Sequence, residues 1–525
     1  MHLRLLLVIA AAVTILPFHV DGASADDPAI PPLFVPATFR STSVSSDGAV
    51  VLSRPVTVQL DLLPAAGEGS RRVRLDLFGA AYIADLSRGA AADGPSKNWV
   101  GGIEGIEGSF VSLAADADAV AGTITMPGAL YRLSPEDGSV QLLEQLDPRA
   151  FEPDGPPVPV ELSPTRSEAS ASTIAGGSII DVLGIYTTAA RIAAGGAAAM
   201  HATIAEGVAE ANTAYTNSLV SQRVRLVNTT EVSYVESGDA QTDLSRLRSP
   251  ADGYLDAVQG IRDQYGADLV VLVTETLGNE CGRAYEMTIP GASFATSAFA
   301  VVKRTCITGQ FSLAHEIGHN MGAGHDRSTG CSGAYPFACG YQDPSNRFRT
   351  IMAYDCPVSC PRVLYFSNPN VTYLGLPTGV ADALPNAADN ARTLNNTAAI
   401  VANFRPSIFG VALAFSATPG VATPGAGFTV QVAVRNSAGA TVIADQTTVV
   451  TLAVAVGPGT LSCDSAARTV TNGVATFTNC RISANGFYQL TAAADLPMTP
   501  ATSPAITAGG YRLPLPLVAS DTGVG

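Results

Sequence analysis

The chain has 525 residues, room for three or four domains, and 30 lysines and arginines against 45 aspartates and glutamates give a net charge of −15. With a pI near 4.8 and no basic patch to meet phosphates, a nucleic-acid partner is excluded. Charged residues make up only 14% while glycine occurs 50 times, which describes a chain rich in strands and turns.

The first 25 residues read as a secretory signal: a basic start (His2, Arg4), an apolar run from Leu5 to Phe18, and the small residues Ala23, Ser24 and Ala25 before Asp26. The mature chain is therefore expected to be exported, with no membrane anchor, since no later run reaches about 18 uninterrupted apolar residues. Residues 26–151 alternate apolar and polar in short runs broken by glycine, as in Val73 to Leu77 and Ser109 to Leu113, which predicts a β-rich region. Residues 152–178 turn to Pro, Ser, Thr and Ala, with Pro156, Pro157 and Pro159 and the single basic residue Arg166, and read as an exposed linker where processing would fall. From there the pattern predicts a strand at 179–186, an alanine-rich helix at 199–217, a strand at 223–234 and a helix at 252–265. A buried central strand follows at 268–273, then a strand at 299–302 expected to form the sheet edge beside substrate.

Three of the six histidines then fall within eleven residues, in His315-Glu316-Ile317-Gly318-His319-Asn320-Met321-Gly322-Ala323-Gly324-His325. On a helix, His315 and His319 project from one face one turn apart while Leu313, Ala314, Ile317 and Met321 gather on the other. A third ligand six residues further on requires the chain to turn, and Gly322 supplies the left-handed backbone for it. Three neutral imidazoles suit Zn²⁺ with a fourth position open, the arrangement of a catalytic site. Glu316, beside the first ligand and not needed as one, is the expected general base. His201, on the alanine-rich helix, is expected at the surface and not as a ligand.

This run resembles the zinc helix of metzincin endopeptidases, and Asp326 after the third histidine resembles the adamalysin/reprolysin branch. Thr350-Ile351-Met352-Ala353-Tyr354 resembles the metzincin Met-turn, which implies that Met352 lies beneath the metal. Its Met-x-Tyr form is that of astacins and serralysins, which makes Tyr354 either a group near the metal or oxyanion or an aromatic packed under the site. The stretch from Arg349 through Phe366-Ser367-Asn368-Pro369 to Asp389-Asn390-Ala391-Arg392 is similar to bacterial peptidyl-Asp metalloendopeptidases. The segment after the Met-turn walls a substrate pocket in metzincins; if Arg347, Arg349 or Arg362 faces it, an acidic residue after the cleaved bond is preferred. Trp99 to Leu133 resembles reprolysin pro-domains, and no cysteine precedes Cys281 to serve as a zinc-blocking latch.

A helix at 386–404 is expected to close the catalytic domain, which spans 179–406. Beyond Pro406, short strands at regular spacing (428–434, 447–452, 474–477) with an Asn472-Gly473 turn predict an Ig-like β-sandwich over 407–500, followed by a loose tail at 501–525. The fold class is thus multidomain: an α/β metzincin catalytic domain flanked by an N-terminal β-rich pro-domain and a C-terminal Ig-like β-sandwich. Eight cysteines in an exported chain point to four disulfides. Cys463 pairs with Cys480 and Cys281 with Cys306, whereas Cys331, Cys339, Cys356 and Cys360 allow three pairings. The function so implied is secreted, zinc-dependent hydrolysis of protein substrates. A non-catalytic zinc-binding adhesin using the Ig-like tail is the alternative, and Glu316 argues against it. No residue pattern specifies a calcium site or an oligomeric state.

Overall fold

The computed structural model describes residues 30–38, 47–65, 68–89, 96–160 and 178–509. The signal-like residues 1–25, Arg166 and the chain beyond 509 lie outside them. Alternation in the first part produces one nine-stranded sheet, running in spatial order Phe34–Pro36, Val50–Val58, Val140–Leu146, Ala129–Asp137, Ala119–Met126, Phe110–Asp116, Lys97–Ile103, Ala80–Arg88 and Arg71–Leu77. Every pairing is antiparallel, so inward positions such as Val73, Leu75, Leu113 and Leu143 collect in one core.

The central sheet is built on apolar strands buried on both faces. Its order is Val158–Pro159, Gly282–Glu286, Phe299–Lys303, Leu269–Thr274, Ile179–Thr187 and Arg223–Val232, and only the pairing of Gly282–Glu286 with Phe299–Lys303 is antiparallel. This corrects the expected edge. Phe299 to Val302 are wholly buried between two neighbours, as a continuous apolar run demands, and the mixed sequence Gly282–Glu286 lies outside them. A second correction concerns residues 152–160, expected as exposed linker: Asp154 and Val160 are buried, and Val158–Pro159 pairs in parallel with Tyr285 and Glu286.

The long helix Ala197–Asn217 packs on this sheet, and Ala240–Arg248 and Ala257–Tyr265 replace the single helix expected at 252–265. The missed helix starts at Asp239, whose carboxylate accepts from the Thr242 amide at 2.8 Å. The closing helix is shorter than expected, Asn390–Val401, capped by Asp389. Downstream, Phe428–Arg435, Val449–Val456, Val474–Ile482 and Gly486–Ala494 fall into two sheets around a shared core including Val430, Phe477, Tyr488 and Leu490. Residues 501–509 are not loose: Ala501–Thr502 and Ile506–Ala508 pair with Gly486–Ala494. Asn472 and Gly473 take positive φ of 52° and 71°, as the turn requires. Among the described residues no helix is long and apolar enough to cross a membrane.

The first sheet docks on the long helix through buried polar groups. Thr123 Oγ1 donates to Glu210 Oε1 at 2.6 Å, and Arg132 bridges Asp47, Glu144 and the Thr305 carbonyl. His201 also sits here, 2.7 Å from Asp116 and 3.1 Å from the Tyr186 hydroxyl, well away from the other histidines in role. Burial pushes Glu210 up to about 8, and burial with repulsion from Glu210 raises Glu206 well above the usual carboxylate range. The folded chain thus holds protons that the unfolded chain releases above its ordinary value near 4.5. Stability is complete below that value and is lost as pH rises through about 8. Thermal melts of the full chain between those limits are expected to fall with pH, and the Glu206→Gln/Glu210→Gln variant to melt along a flatter profile. Parallel profiles would refute the assignment.

Candidate active site

The helix Ser312–Asn320 carries His315, Glu316 and His319, all fully buried. Its end is a Schellman arrangement: the Ala323 amide donates to the Gly318 carbonyl and the Gly322 amide to that of His319, both at 2.9 Å, with Gly322 at φ +87°. The chain then doubles back through the short strand Gly324–Asp326 and delivers His325 to the helix face. Asn320 pins the helix to the sheet by donating to the carbonyls of Tyr285 and Phe299.

The three Nε2 atoms converge: His315 to His325 is 3.0 Å, His319 to His325 3.0 Å and His319 to His315 3.1 Å. They are the cluster of metal-capable ligand atoms found among the described residues. His315 Nδ1 donates to the Ile351 carbonyl at 2.8 Å and His319 Nδ1 to that of Ala323 at 2.9 Å. With those protons committed, Nε2 of each ring presents a lone pair, and the lone pairs face one another rather than a donor. Burial pushes the His315 imidazole down to about 3 and lowers His325 as well, so both are neutral. Three imidazole nitrogens aimed at one point are the donor set of a divalent metal, and zinc is the common occupant.

The Met-turn supports the helix from below. A Cβ built at Gly318 would lie 2.5 Å from Met352 Sδ, so the sulfur packs into the space the glycine leaves between the two helical histidines. Tyr354 lies with its ring centroid 4.1 Å from that of His325, and its amide donates to Asp326 Oδ2 at 2.9 Å. Asp326 therefore joins the third histidine's strand to the Met-turn, a role the sequence reading did not supply. Burial and the neighbouring Glu316 raise the Tyr354 phenol.

Among the described residues neither Glu316 oxygen has a hydrogen-bond partner, and a Cβ at Gly282 would come within 2.5 Å of Oε1. Glycine at the start of the strand Gly282–Glu286 is what gives this carboxylate its place. Burial, reinforced by Asp154, raises its pKa well above the carboxylate range. A cleft of about 710 Å³ opens beside the cluster, walled by Asp154, Glu280, Arg349, Tyr354 and Arg362. Of the three arginines after the motif, Arg347 is half exposed and paired with Asp343, and Arg349 is buried on the carbonyls of Ala353 and Cys360. Arg362 is buried against Asp154 at 2.7 Å. Disulfides join Cys281 to Cys306 and Cys463 to Cys480 as expected, and the open pairs resolve as Cys331 to Cys339 and Cys356 to Cys360.

A mostly parallel sheet with a three-histidine cluster and an adjacent buried glutamate defines a metallopeptidase. Residues 179–383 match the family model described as metallo-peptidase family M12B, reprolysin-like. A peptidyl-Asp metalloendopeptidase of Xanthomonas campestris is 36% identical over 400 residues, covering 70% of this chain and 92% of that protein. One from Stenotrophomonas maltophilia is 35% identical over 406 residues, with 71% and 94% covered, and one from Pseudomonas fragi 34% over 197 residues, with 37% and 100% covered. The chain belongs to this family of reprolysin-like peptidyl-Asp metalloendopeptidases. It is a metal-dependent endopeptidase, and its substrates are proteins or peptides.

Proposed function

We propose that the protein is an exported zinc endopeptidase, made as a precursor, that hydrolyses bonds followed by an acidic residue. His315, His319 and His325 are its ligands, Glu316 its base, Met352 the support under the metal and Gly322 the turn that brings the third ligand back. The observation that carries this reading is the convergence of three Nε2 atoms within 3.1 Å beside the Glu316 carboxylate, which has no hydrogen-bond partner among the described residues. Zinc bound there supplies Lewis-acid polarisation of the carbonyl and a lowered pKa for water. Glu316 takes the proton of the attacking water and hands it to the departing amine. Tyr354, its ring tilted at 48° against that of His325, holds the third ligand in place and lines the cleft.

Residues 26–151 are the pro-domain of this reading, 152–178 the segment to be processed, 179–406 the catalytic domain and 407–509 an Ig-like spacer, with the remainder as tail. Export follows from the signal-like residues 1–25 and agrees with four disulfides. The acidic preference rests on Arg362, a buried arginine at the cleft that already holds a carboxylate, and on the relatives' name. Family membership and the relatives' peptidase names do not favour the adhesin alternative.

The test is mass-spectrometric profiling of cuts made in a denatured proteome by the secreted, zinc-loaded protein. Cuts enriched for an acidic residue after the scissile bond, lost on chelation and restored by zinc, are the expected result. Cuts without acidic enrichment would remove the specificity claim; no cuts from a zinc-bound, processed sample would remove the peptidase mechanism.

A further inference from the structure

Residues 152–160 leave the first sheet and lie along the outer edge of Gly282–Glu286, the strand that carries Gly282 against Glu316. The contacts are those of an added strand: the Cys281 amide donates to the Pro153 carbonyl at 2.9 Å, Gly155 to that of Gly282 at 2.8 Å, and Val160 to that of Glu286 at 3.3 Å. Pro153, Pro156, Pro157 and Pro159 keep this stretch extended before it docks, which lowers the entropy lost on docking.

One side chain of the stretch is driven deep into the site. Asp154 is 2% exposed, its Oδ2 accepting from Arg362 Nη1 at 2.7 Å and lying 3.7 Å from His315 Nδ1. It approaches the ring nitrogen that faces the Ile351 carbonyl, not the Nε2 that faces the other histidines. Asp154 is therefore placed to block a side-chain socket, not to cap the metal. Arg362 has its remaining contacts on main-chain oxygen, Gln310 at 2.7 Å and Ala353 at 3.4 Å. These carbonyls fix the guanidinium and leave the carboxylate as its one anionic contact within 4 Å among the described residues. An extended polypeptide on the edge strand, with an acidic side chain on Arg362, is also what the proposed substrate would be.

We propose that residues 152–160 are a tethered stand-in for substrate: Asp154 fills, on Arg362, the socket that receives the acidic side chain of the cleaved polypeptide, and the chain stays inactive until this segment leaves. This rests on the peptidase reading above and assigns both the specificity residue and the device that occupies it.

The test uses the full chain carrying Glu316→Gln, zinc-loaded, so that no self-cleavage removes the segment. Two fluorescent peptides differing only in Asp or Asn at the recognised position are titrated by anisotropy, and hydrogen exchange is followed at the Cys281 and Val160 amides. In this background neither peptide is expected to bind appreciably and both amides to be protected. Adding Asp154→Ala is expected to speed exchange at both amides and raise affinity for the Asp peptide at least about tenfold, with the Asn peptide at least about tenfold weaker. Adding Arg362→Gln as well is expected to erase that difference. Asp154→Asn, nearly isosteric, serves if the alanine variant fails to melt cooperatively. Unchanged exchange on loss of Asp154 overturns the latch, and equal binding of the two peptides, or discrimination that survives Arg362→Gln, overturns the socket. The readout is binding to a chain that cannot hydrolyse, so failure here leaves a positive cleavage profile standing, and the reverse.

Discussion

Replacing Glu316 by glutamine is expected to lower kcat by at least about 10²–10⁴-fold, the usual contribution of a positioned general base, with the metal content unchanged. Glutamine keeps the volume of the side chain, which matters because the carboxylate is fully buried and sits in the space that Gly282 leaves. It removes only the lone pair that accepts a proton. The ligand set is untouched, since His315 and His319 are held through Nδ1 by the carbonyls of Ile351 and Ala323 and do not lean on Glu316. Turnover of a quenched peptide and elemental analysis of the same sample check the two halves of the claim. Equal turnover at equal metal content would show that Glu316 is not the base; loss of metal would show that the carboxylate holds the ligand cluster together.

The second large effect is on stability. Arg225 and Asp181 form a buried ion pair, Nε to Oδ1 at 2.7 Å and Nη2 to Oδ2 at 3.1 Å, with both side chains 1% exposed. The guanidinium also donates to the Gly410 carbonyl and the Ser407 hydroxyl, so it ties the strand Arg223–Val232 to the chain that enters the C-terminal sheets. Arg225→Met leaves the buried Asp181 carboxyl without its guanidinium partner, and among the described residues Ser407 is its remaining side-chain donor. The expected cost is about 3–5 kcal/mol, a fall in Tm of about 6–20 °C for a unit of this size. Asp181→Asn/Arg225→Met is expected to recover part of that loss, because the uncompensated charge is the main penalty. Calorimetry of the three variants decides it: an unchanged Tm for Arg225→Met, or a double variant no better than the single, would show the pair to be dispensable.

The site was legible where chemistry imposes fixed spacing. His315, His319, Glu316 and Gly322 sit on one helix and its cap, and helical geometry alone places them. Met352 and the pairs Cys281 with Cys306 and Cys463 with Cys480 also lie where the sequence put them. Sheet edges were not legible. Phe299 to Val302 and Leu269 to Val273 look alike as apolar runs, and periodicity carries no information about which neighbour lies on which side. The helix Ala240–Arg248 was missed because its four buried residues, Ala240, Asp243, Leu244 and Leu247, give a weak apolar stripe.

Taken alone, the sequence determined which three histidines come together, which glutamate lies beside them and where the chain turns between the second and third, because a helix cap and a 3.6-residue period are local and act through neighbours within a few residues. Only the tertiary structure decided that Gly282 makes room for Glu316, that Arg362 and not Arg347 faces the cleft, and that the proline-rich segment lies on the sheet edge with Asp154 buried. Each of those depends on residues between 34 and 208 positions apart in the chain, brought together by strand pairing and the exclusion of water, for which no local pattern is required.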